Sequence, residues 1–552
     1  MPTFAAIDIG SNSCRLKIAK VVAHQLKTVA EDREVTRLGT SVFETGLASP
    51  EAMMATLQAL KRFQREVQLH AADQIRVVAT SAMRDARNGA AFQAWVKAET
   101  GWQMEIISGL EEGRLIHLGV MGADGDGKGV DPGMLGRVLL VDLGGGSCEI
   151  TLSEQKHIKE TISVPLGAVR LTREFLPNDP ASEDGLARMR QLIGRELRIA
   201  REKIHPEKLS SVIATSGTAA ALSEAVASAV SGIDKAGKQQ GKSAKNVAGK
   251  PGSKMDGKAL AFALKQSRTA ALGAGITPAN EVRGLAAKLA KMTLAERGGV
   301  QGIGPRRAEI IVAGAMVYAE LLESFGLEGF RYSLLGLRDG ILAQMLAEQD
   351  ARATAHREFE HERWESVLAT ARRYGVDIKQ AEPVRAHAVQ LYRELAALHQ
   401  LPPEYESWLG TAAMLRDTGK FINHQGHHRH TQYIVSSSEI YGYTPLQRTL
   451  VSAIARYLGK SRPQPGDRAL RNIPAGEHAH VDRAVVLLRL AVALNQDRAS
   501  DVLRVAAKVY PKRVYLEVEP GRTGAELELW SLRKEADYFR EVFGRELFCT
   551  LA

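Results

Sequence analysis

Two aspartates stand where their surroundings should exclude a charge. Asp8 interrupts the apolar run Ala6-Ile7-Asp8-Ile9, and Asp142 interrupts Val141-Asp142-Leu143. Each run passes at once into a small-residue turn, Gly10-Ser11-Asn12-Ser13 in the first case and Gly144-Gly145-Gly146-Ser147 in the second. Phosphate needs many short donors that approach closely, and glycine and serine turns after a strand provide them. Two aspartates at such strand ends could hold a hydrated Mg²⁺ ion, or another divalent cation, between themselves and phosphate oxygens. A single Gly-Gly-Gly is most simply a tight hairpin; two copies, each led by an aspartate, favour the chemical reading. A third acidic residue, Glu112, lies in Ser108-Gly109-Leu110-Glu111-Glu112-Gly113-Arg114. Ser108 and Glu111 fit a capping box, which accounts for Glu111. Glu112 points about 100° away on a helix. It is either a solvated first-turn glutamate that suits the helix dipole or a general base for an attacking water.

These residues need elements to position them, and the sequence supplies them twice. Ile7 to Ile18 aligns without gaps on Val141 to Leu152, with aspartate, first glycine, serine and cysteine identical and apolar positions matched. Each copy reads as a buried strand, a tight turn and an alternating second strand. The duplication predicts two similar α/β halves facing each other across a cleft. Between the copies, Ser49 and Pro50 open a helix with Met53, Leu57, Leu60 and Val67 on one face. Ile75 to Ala79 and Met104 to Ile107 read as buried strands. Beyond the second copy come a helix with Met189, Ile193 and Leu197, a strand at Val212-Ile213-Ala214, a helix over Glu309 to Phe325, and a strand from Arg331 to Leu335. From about Ala351 to Asp501 the pattern is nearly all helical. Val514 to Glu519 and Ala525 to Trp530 alternate like two strands across Pro520-Gly521, and Tyr538 to Leu547 reads as a helix.

Composition narrows the class. The chain of 552 residues is 25% charged and 45% hydrophobic, the balance of a soluble globular protein with several cores. No apolar run is long enough to span a membrane, and the N-terminus lacks the pattern of a signal peptide. Three widely spaced cysteines, Cys14, Cys148 and Cys549, suit a reducing cytoplasm and no zinc site. The net charge of +10 suggests nucleic acid, but Ser231 to Lys258 holds seven lysines against two aspartates and so carries half of it. With six glycines and Pro251, that stretch reads as a disordered insert, and no specific nucleic-acid partner is expected.

In combination, the motifs resemble the exopolyphosphatase / guanosine-pentaphosphate phosphohydrolase (Ppx/GppA) family. The matching pieces, in family order over about the first 345 residues, are Ala6 to Ser13, Thr80-Ser81-Ala82-Met83-Arg84-Asp85-Ala86, Ile106 to Arg114 and Val141 to Glu149. They continue with Pro165-Leu166-Gly167-Ala168-Val169-Arg170-Leu171, Thr215-Ser216-Gly217-Thr218 and Gly336-Leu337-Arg338-Asp339-Gly340. The resemblance implies a duplicated ribonuclease H-like core of the actin/Hsp70/sugar-kinase superfamily: one lobe over 1–124 and a second over 125–345, with the insert at 231–258. An all-helical HD-like domain over 346–500 and a small α+β domain over 501–552 would follow. It implies Glu112 and Glu149 as catalytic residues. Asn12, Ser13, Arg84, Gly144, Gly145, Gly146, Ser147, Gly217 and Thr218 would contact phosphate, and Asp8, Asp142 and Glu149 would hold the metal. The residues leave the oligomeric state unreadable; dimers are common among long relatives, so a homodimer is one reading that the resemblance allows.

The helical region resembles the His/Asp metal phosphohydrolases, with His387, Asp417, His424, His427, His428 and His430 in suggestive order. Arg416 stands where a ligating histidine should precede Asp417, and a guanidinium does not bind metal. The expected role is a binding surface in which Arg416, Lys420, His428 and Arg429 contact a polyanion, against an ordinary solvated surface as the plainer reading. Three functions are weighed. The first is hydrolysis of the terminal phosphate of inorganic polyphosphate. The second is removal of the 5′ phosphate of the alarmone pppGpp by the same residues. The third is a polyanion-binding scaffold without turnover, against which the intact Glu112 and Glu149 argue, as they do against a sugar kinase.

Overall fold

The computed structural model describes residues 2–122, 136–206, 208–236, 275–458, 461–464, 466–497, 502–522 and 524–552. The chain divides into two compact units, Met1–Phe359 and Glu360–Ala552.

The first unit is built twice on one plan. Its first lobe runs β1 (Thr3–Ile9), β2 (Cys14–Val22), β3 (Gln25–Glu34), α1 (Leu38–Thr45), α2 (Pro50–Leu69), β4 (Gln74–Ala79), α3 (Ser81–Asp85), α4 (Gly89–Thr100), β5 (Met104–Ile106) and α5 (Gly109–Met121). The second lobe runs β6 (Arg137–Leu143), β7 (Cys148–Glu154), β8 (His157–Val164), α6 (Ala168–Phe175), α7 (Glu183–Ile204), β9 (Ser211–Thr215) and α8 (Ser216–Ala236). It continues through β10 (Thr277–Pro278), further helices and β11 (Gly329–Tyr332). The sheet orders are β3-β2-β1-β4-β5 and β8-β7-β6-β9-β11-β10, so the first five positions repeat. Registers repeat as well: Asp8 faces Arg15 across β1 and β2, and Asp142 faces Glu149 across β6 and β7. This is a duplicated ribonuclease H-like two-lobed core.

Local chemistry explains the elements that matter. Strands β1 and β6 are apolar on both faces because helices or the other lobe cover them, and Ile7, Ile9, Val141 and Leu143 are all buried. Ser49 caps α2 by accepting from the Ala52 amide at 3.2 Å, and Leu57, Leu60 and Val67 bury one face. Helix α5 lies against the helix Leu337–Gln349 with backbones nearly touching: a Cβ on Gly340 would overlap the Leu115 carbonyl. Glycine is therefore required at Gly340 in Gly336-Leu337-Arg338-Asp339-Gly340, a motif that packs α5, the carrier of Glu112. Helix α8 continues to Ala236, six residues into the stretch expected to be disordered. Gly237 to Lys258 lies outside the described residues.

The second unit is helical, with a small sheet at its end. Helices Ile378–Glu394, Glu404–Leu415, His427–Ser437, Pro445–Arg456 and His478–Ala493 precede β12 (Val505–Val509), β13 (Arg513–Val518) and β14 (Glu546–Leu551). The order is β12-β13-β14, with β13 and β14 parallel. Leu391, Leu409, Leu487, Val514 and Leu516 belong to one apolar cluster, so helices and sheet share a core. The segment Ala525 to Trp530, expected as a strand, is helical within Glu526–Lys534. Its period-two alternation is carried by Glu and Leu, both strong helix formers, and the buried Leu529 and Leu532 are spaced for a helix face. The segment Tyr538 to Leu547 ends its helix at Phe543, where Gly544 turns the chain left-handed into β14. Among the described residues, no helix is long and apolar enough to cross a membrane.

Candidate active site

The two small-residue turns follow β1 and β6 and lie against each other, and each is pinned at the start of a short helix. In the first lobe, the Ser11 carbonyl accepts from the Gly39 amide at 2.7 Å and the Asn12 carbonyl from Arg37 at 3.1 Å. In the second, the Gly144 carbonyl accepts from Ala168 at 3.0 Å and the Gly145 carbonyl from Val169 at 2.8 Å. The N–H and C=O of a peptide unit point in opposite directions. Tying the carbonyls to α1 and α6 therefore turns the amides of Asn12, Ser13, Gly145 and Gly146 away from those helices. Among the described residues, the amides of Asn12, Gly145 and Gly146 donate to no protein group. The turns meet closely: a Cβ on Gly145 would lie 2.9 Å from the Ser11 Cβ and 3.4 Å from the Asn12 nitrogen.

Around these turns stand the carboxylates. Glu112, Asp142 and Glu149 each offer an oxygen within 4.8 Å of the others. Asp8, expected beside Asp142 and Glu149, is outside that trio, and Glu112 takes its place. Asp8 nevertheless acts electrostatically on both Glu112 and Asp142. Burial drives the carboxyl pKa values of all four above the ordinary range. For Glu112, the Arg84 guanidinium opposes the shift, while Asp142 and Asp8 add to it. For Glu149, the neighbouring Glu112 and Asp142 reinforce burial. Ser163 donates to Glu149 Oε1 at 2.8 Å, and Thr215 donates to Asp142 Oδ1. Glu149 Oε2 and Asp8 Oδ1 are buried with no hydrogen-bond partner.

Arg84 joins the two lobes at this point. From α3 of the first lobe it donates to Glu112 Oε2 at 2.9 Å, to the Ile107 carbonyl at 2.9 Å and to Ser147 Oγ of the second glycine turn at 3.1 Å. Its guanidinium lies 4.0 Å from Glu149 Oε1. Glu111, adjacent to Glu112, is directed elsewhere. Ser108 Oγ accepts from the Glu111 amide at 3.1 Å, so half of the expected capping box forms. The Glu111 carboxylate turns instead to Arg114, accepting two bonds at 2.9 Å. A fully buried guanidinium is a stronger claim on that carboxylate than the Ser108 amide.

The Thr215 to Thr218 loop contributes less than expected through side chains. Thr218 is buried and packs on Gly314, and Gly217 lies against Arg307. Ser216 adopts a left-handed φ of 79° at the junction of β9 and α8. A group that the sequence reading passed over is a bank of arginines. Burial and the nearby Arg15, Arg307, Arg306 and Arg338 together lower the Arg33 pKa to about 10. Arg307 is lowered by burial and by Arg15. Arg15 and Arg338 also act on Asp8. The signal for Arg15 was present in the duplication, because it occupies in the first hairpin the place of Glu149 in the second.

In the second unit, the expected polyanion surface loses a member. Arg416 is 8% exposed and folds back, donating to the Ala413 carbonyl at 2.8 Å and lying 3.5 Å from Asp417. Lys420 pairs with Asp417 at 2.9 Å. His387 accepts from the Leu503 amide at 2.9 Å, a packing role. Among the described residues of that unit, no three histidine and carboxylate groups converge as metal ligands.

The Ppx/GppA phosphatase family matches residues 17–349, and domain III of the Ppx/GppA phosphatases matches 363–537. The fold is similar to a crystal structure of an exopolyphosphatase from Cytophaga hutchinsonii, at 23% identity and TM-score 0.52, over 63% of this chain and 99% of that one. An exopolyphosphatase-like protein is 28% identical with TM-score 0.51, over 62% of this chain and 97% of that one. The Aquifex aeolicus member of the Ppx/GppA family is 26% identical with TM-score 0.46, over 63% of this chain and 99% of that one.

Proposed function

Because the chain belongs to the Ppx/GppA phosphatase family, and so is a hydrolase of phosphoric anhydride bonds, we propose that it removes the terminal phosphate of inorganic polyphosphate. The observation that carries the reading is Arg84, held between Glu112 of one lobe and Ser147 of the other. A phosphoryl group seated on the second glycine turn would meet the free amides of Gly145 and Gly146, the Ser147 hydroxyl and the Arg84 guanidinium. Phosphoryl transfer proceeds through a loose transition state, so such donors act by positioning and by neutralising charge. Glu112 is then within reach to orient water and accept its proton, and desolvation keeps that carboxylate basic. Glu149, fixed by Ser163, assists from the facing strand.

The residues also fit a divalent cation. Glu112, Asp142 and Glu149 converge with oxygen donors only, and the unpartnered Glu149 Oε2 and Asp8 Oδ1 are buried beside them. Hard oxygen donors of this kind suit Mg²⁺. Asp142 and Glu149, with Glu112 or Asp8 completing the set, would hold it, and when bound it would neutralise phosphate oxygens and lower the carboxyl pKa values.

Polyphosphate is favoured over a nucleotide by the arginine bank of Arg15, Arg33, Arg306, Arg307 and Arg338. Its members repel one another, Asp8 and Glu224 offset part of that field, and a chain of phosphates would relieve more of it. The test is phosphate release from long-chain polyphosphate and from pppGpp, each with and without Mg²⁺. Faster Mg²⁺-dependent release from polyphosphate is expected. Release confined to pppGpp would reverse the substrate, and release from neither would refute the reading.

A further inference from the structure

Arg170 of the motif Pro165 to Leu171 has no part in the mechanism above, yet it touches the site's framework in both lobes. Arg170 sits in the first turn of α6. Its Nε donates to the Gly146 carbonyl at 2.8 Å, inside the second glycine turn. Its Nη2 reaches across to the first lobe, donating to Ser81 Oγ at 3.3 Å and to the Asp85 carboxylate. The guanidinium also lies 4.2 Å above the Phe43 ring of α1. Ser81 and Asp85 are the first and last residues of α3, and Arg84 lies between them.

A helix of five residues has almost no stability of its own, so its neighbours decide where it sits. Arg84 must reach Glu112 on one side and Ser147 on the other, and the second reach depends on the spacing between α3 and the glycine turn. Arg170 holds both ends of that spacing. The fit leaves no slack, because a Cβ on Gly146 would run into the Ser81 side chain and the Phe43 ring, and one on Gly167 into the Gly146 backbone. Arg173, one turn further along α6, is a useful contrast. It pairs with Glu309 and lies 3.6 Å from Glu44, joining the lobes without touching α3 or the turn.

We propose that Arg170 is a positioning residue that clamps α3 to the second glycine turn and so keeps Arg84 in register with both Glu112 and Ser147. The proposal rests on the reading of Arg84 as a phosphate-contacting group. It differs from an interlobe fastener in acting through Arg84, and that difference is measurable.

The experiment is steady-state phosphate release from polyphosphate by Arg170→Ala, Arg170→Lys, Arg173→Ala, Arg84→Ala and the Arg84→Ala/Arg170→Ala double variant, with thermal unfolding of each. Misplacement of about 1 Å costs up to roughly 10²-fold in rate, so Arg170→Ala should lower kcat about 10- to 100-fold with KM changed less than about threefold. Arg170→Lys keeps the charge opposite Asp85 but not the planar fork, and should recover part of the loss. Arg173→Ala should stay within about twofold of wild type. In the Arg84→Ala background, removing Arg170 should cost less than about threefold, because the group it positions is gone. An undiminished Arg170→Ala loss in that background, or an equal loss from Arg173→Ala, would overturn the proposal while leaving the site reading intact. Wild-type turnover by Arg84→Ala would instead overturn the site reading, and the proposal with it. Should Arg170→Ala unfold, Asp85→Asn loosens the same clamp from an exposed side, and unchanged kcat in that variant would also overturn it.

Discussion

Glu112 and Glu149 are buried beside Asp142, under the electrostatic influence of Asp8 and close to the Arg84 guanidinium. Burial raises the Glu112 carboxyl above its ordinary range, and Arg84 restrains the rise. A base must be ionised to accept a proton, so kcat/KM should fall as pH drops through the Glu112 pKa, which burial raises and a bound cation would bring back down. Removing Arg84 takes away both the charge and the hydrogen bond that favour the ionised form of Glu112. Arg84→Gln should therefore move the acid limb of the kcat/KM profile to higher pH, in addition to lowering the plateau. An acid limb unmoved, or moved to lower pH, would show that the limb belongs to another group. The two aspartates stood out because each is out of place in an apolar strand, whereas Glu112 fitted its helix start and was singled out only by the family resemblance. Arg170 was not legible, because an arginine at a helix start looks ordinary until its partners are known, and the signal for Arg15 emerged only from its place opposite Asp8 in the duplicated hairpin.

Helix α5 shows what a local pattern conceals. Ser108 and Glu111 have capping-box spacing, and Ser108 does cap the helix. Arg114 was silent in the sequence as a competitor, because its burial comes from the packing of α5 on Leu337–Gln349 and from its bond to Gln344. Glu111→Gln consequently weakens a buried ion pair rather than a cap. It should lower stability by about 3 kcal/mol, toward the low end for losing one partner of such a pair because the amide still accepts a bond. Urea unfolding measures this, and kcat for the folded fraction should stay within a few-fold of wild type. The same limit explains Ala525 to Trp530: alternation suggested a strand, whereas helix propensity and the buried Leu529 and Leu532 made a helix. The duplicated hairpins were read correctly because two copies constrain one another.

At the scale of the whole chain, each unit has its own core, and each should answer differently to acid. In the unit Glu360–Ala552, burial lowers the His387 pKa to about 4, against an ordinary 6.5. A folded-state pKa below the unfolded one means that the unfolded chain binds more protons between those values. The stability from a neutral His387 is complete above about pH 6.5 and is lost as pH falls toward 4, amounting to about 3 kcal/mol. The unfolding transition of that unit should drop over this window, and His387→Gln should flatten the dependence; a slope unchanged in the variant would assign it elsewhere. For the catalytic unit, the central claim is that water is activated by Glu112 while phosphate is held by other groups. Its most direct test is single-turnover phosphate release from polyphosphate by Glu112→Gln, beside equilibrium binding of the same polymer. The account predicts binding within a few-fold of wild type and release slower by roughly 10²- to 10⁴-fold. Release at the wild-type rate, or a loss traced wholly to binding, would contradict it.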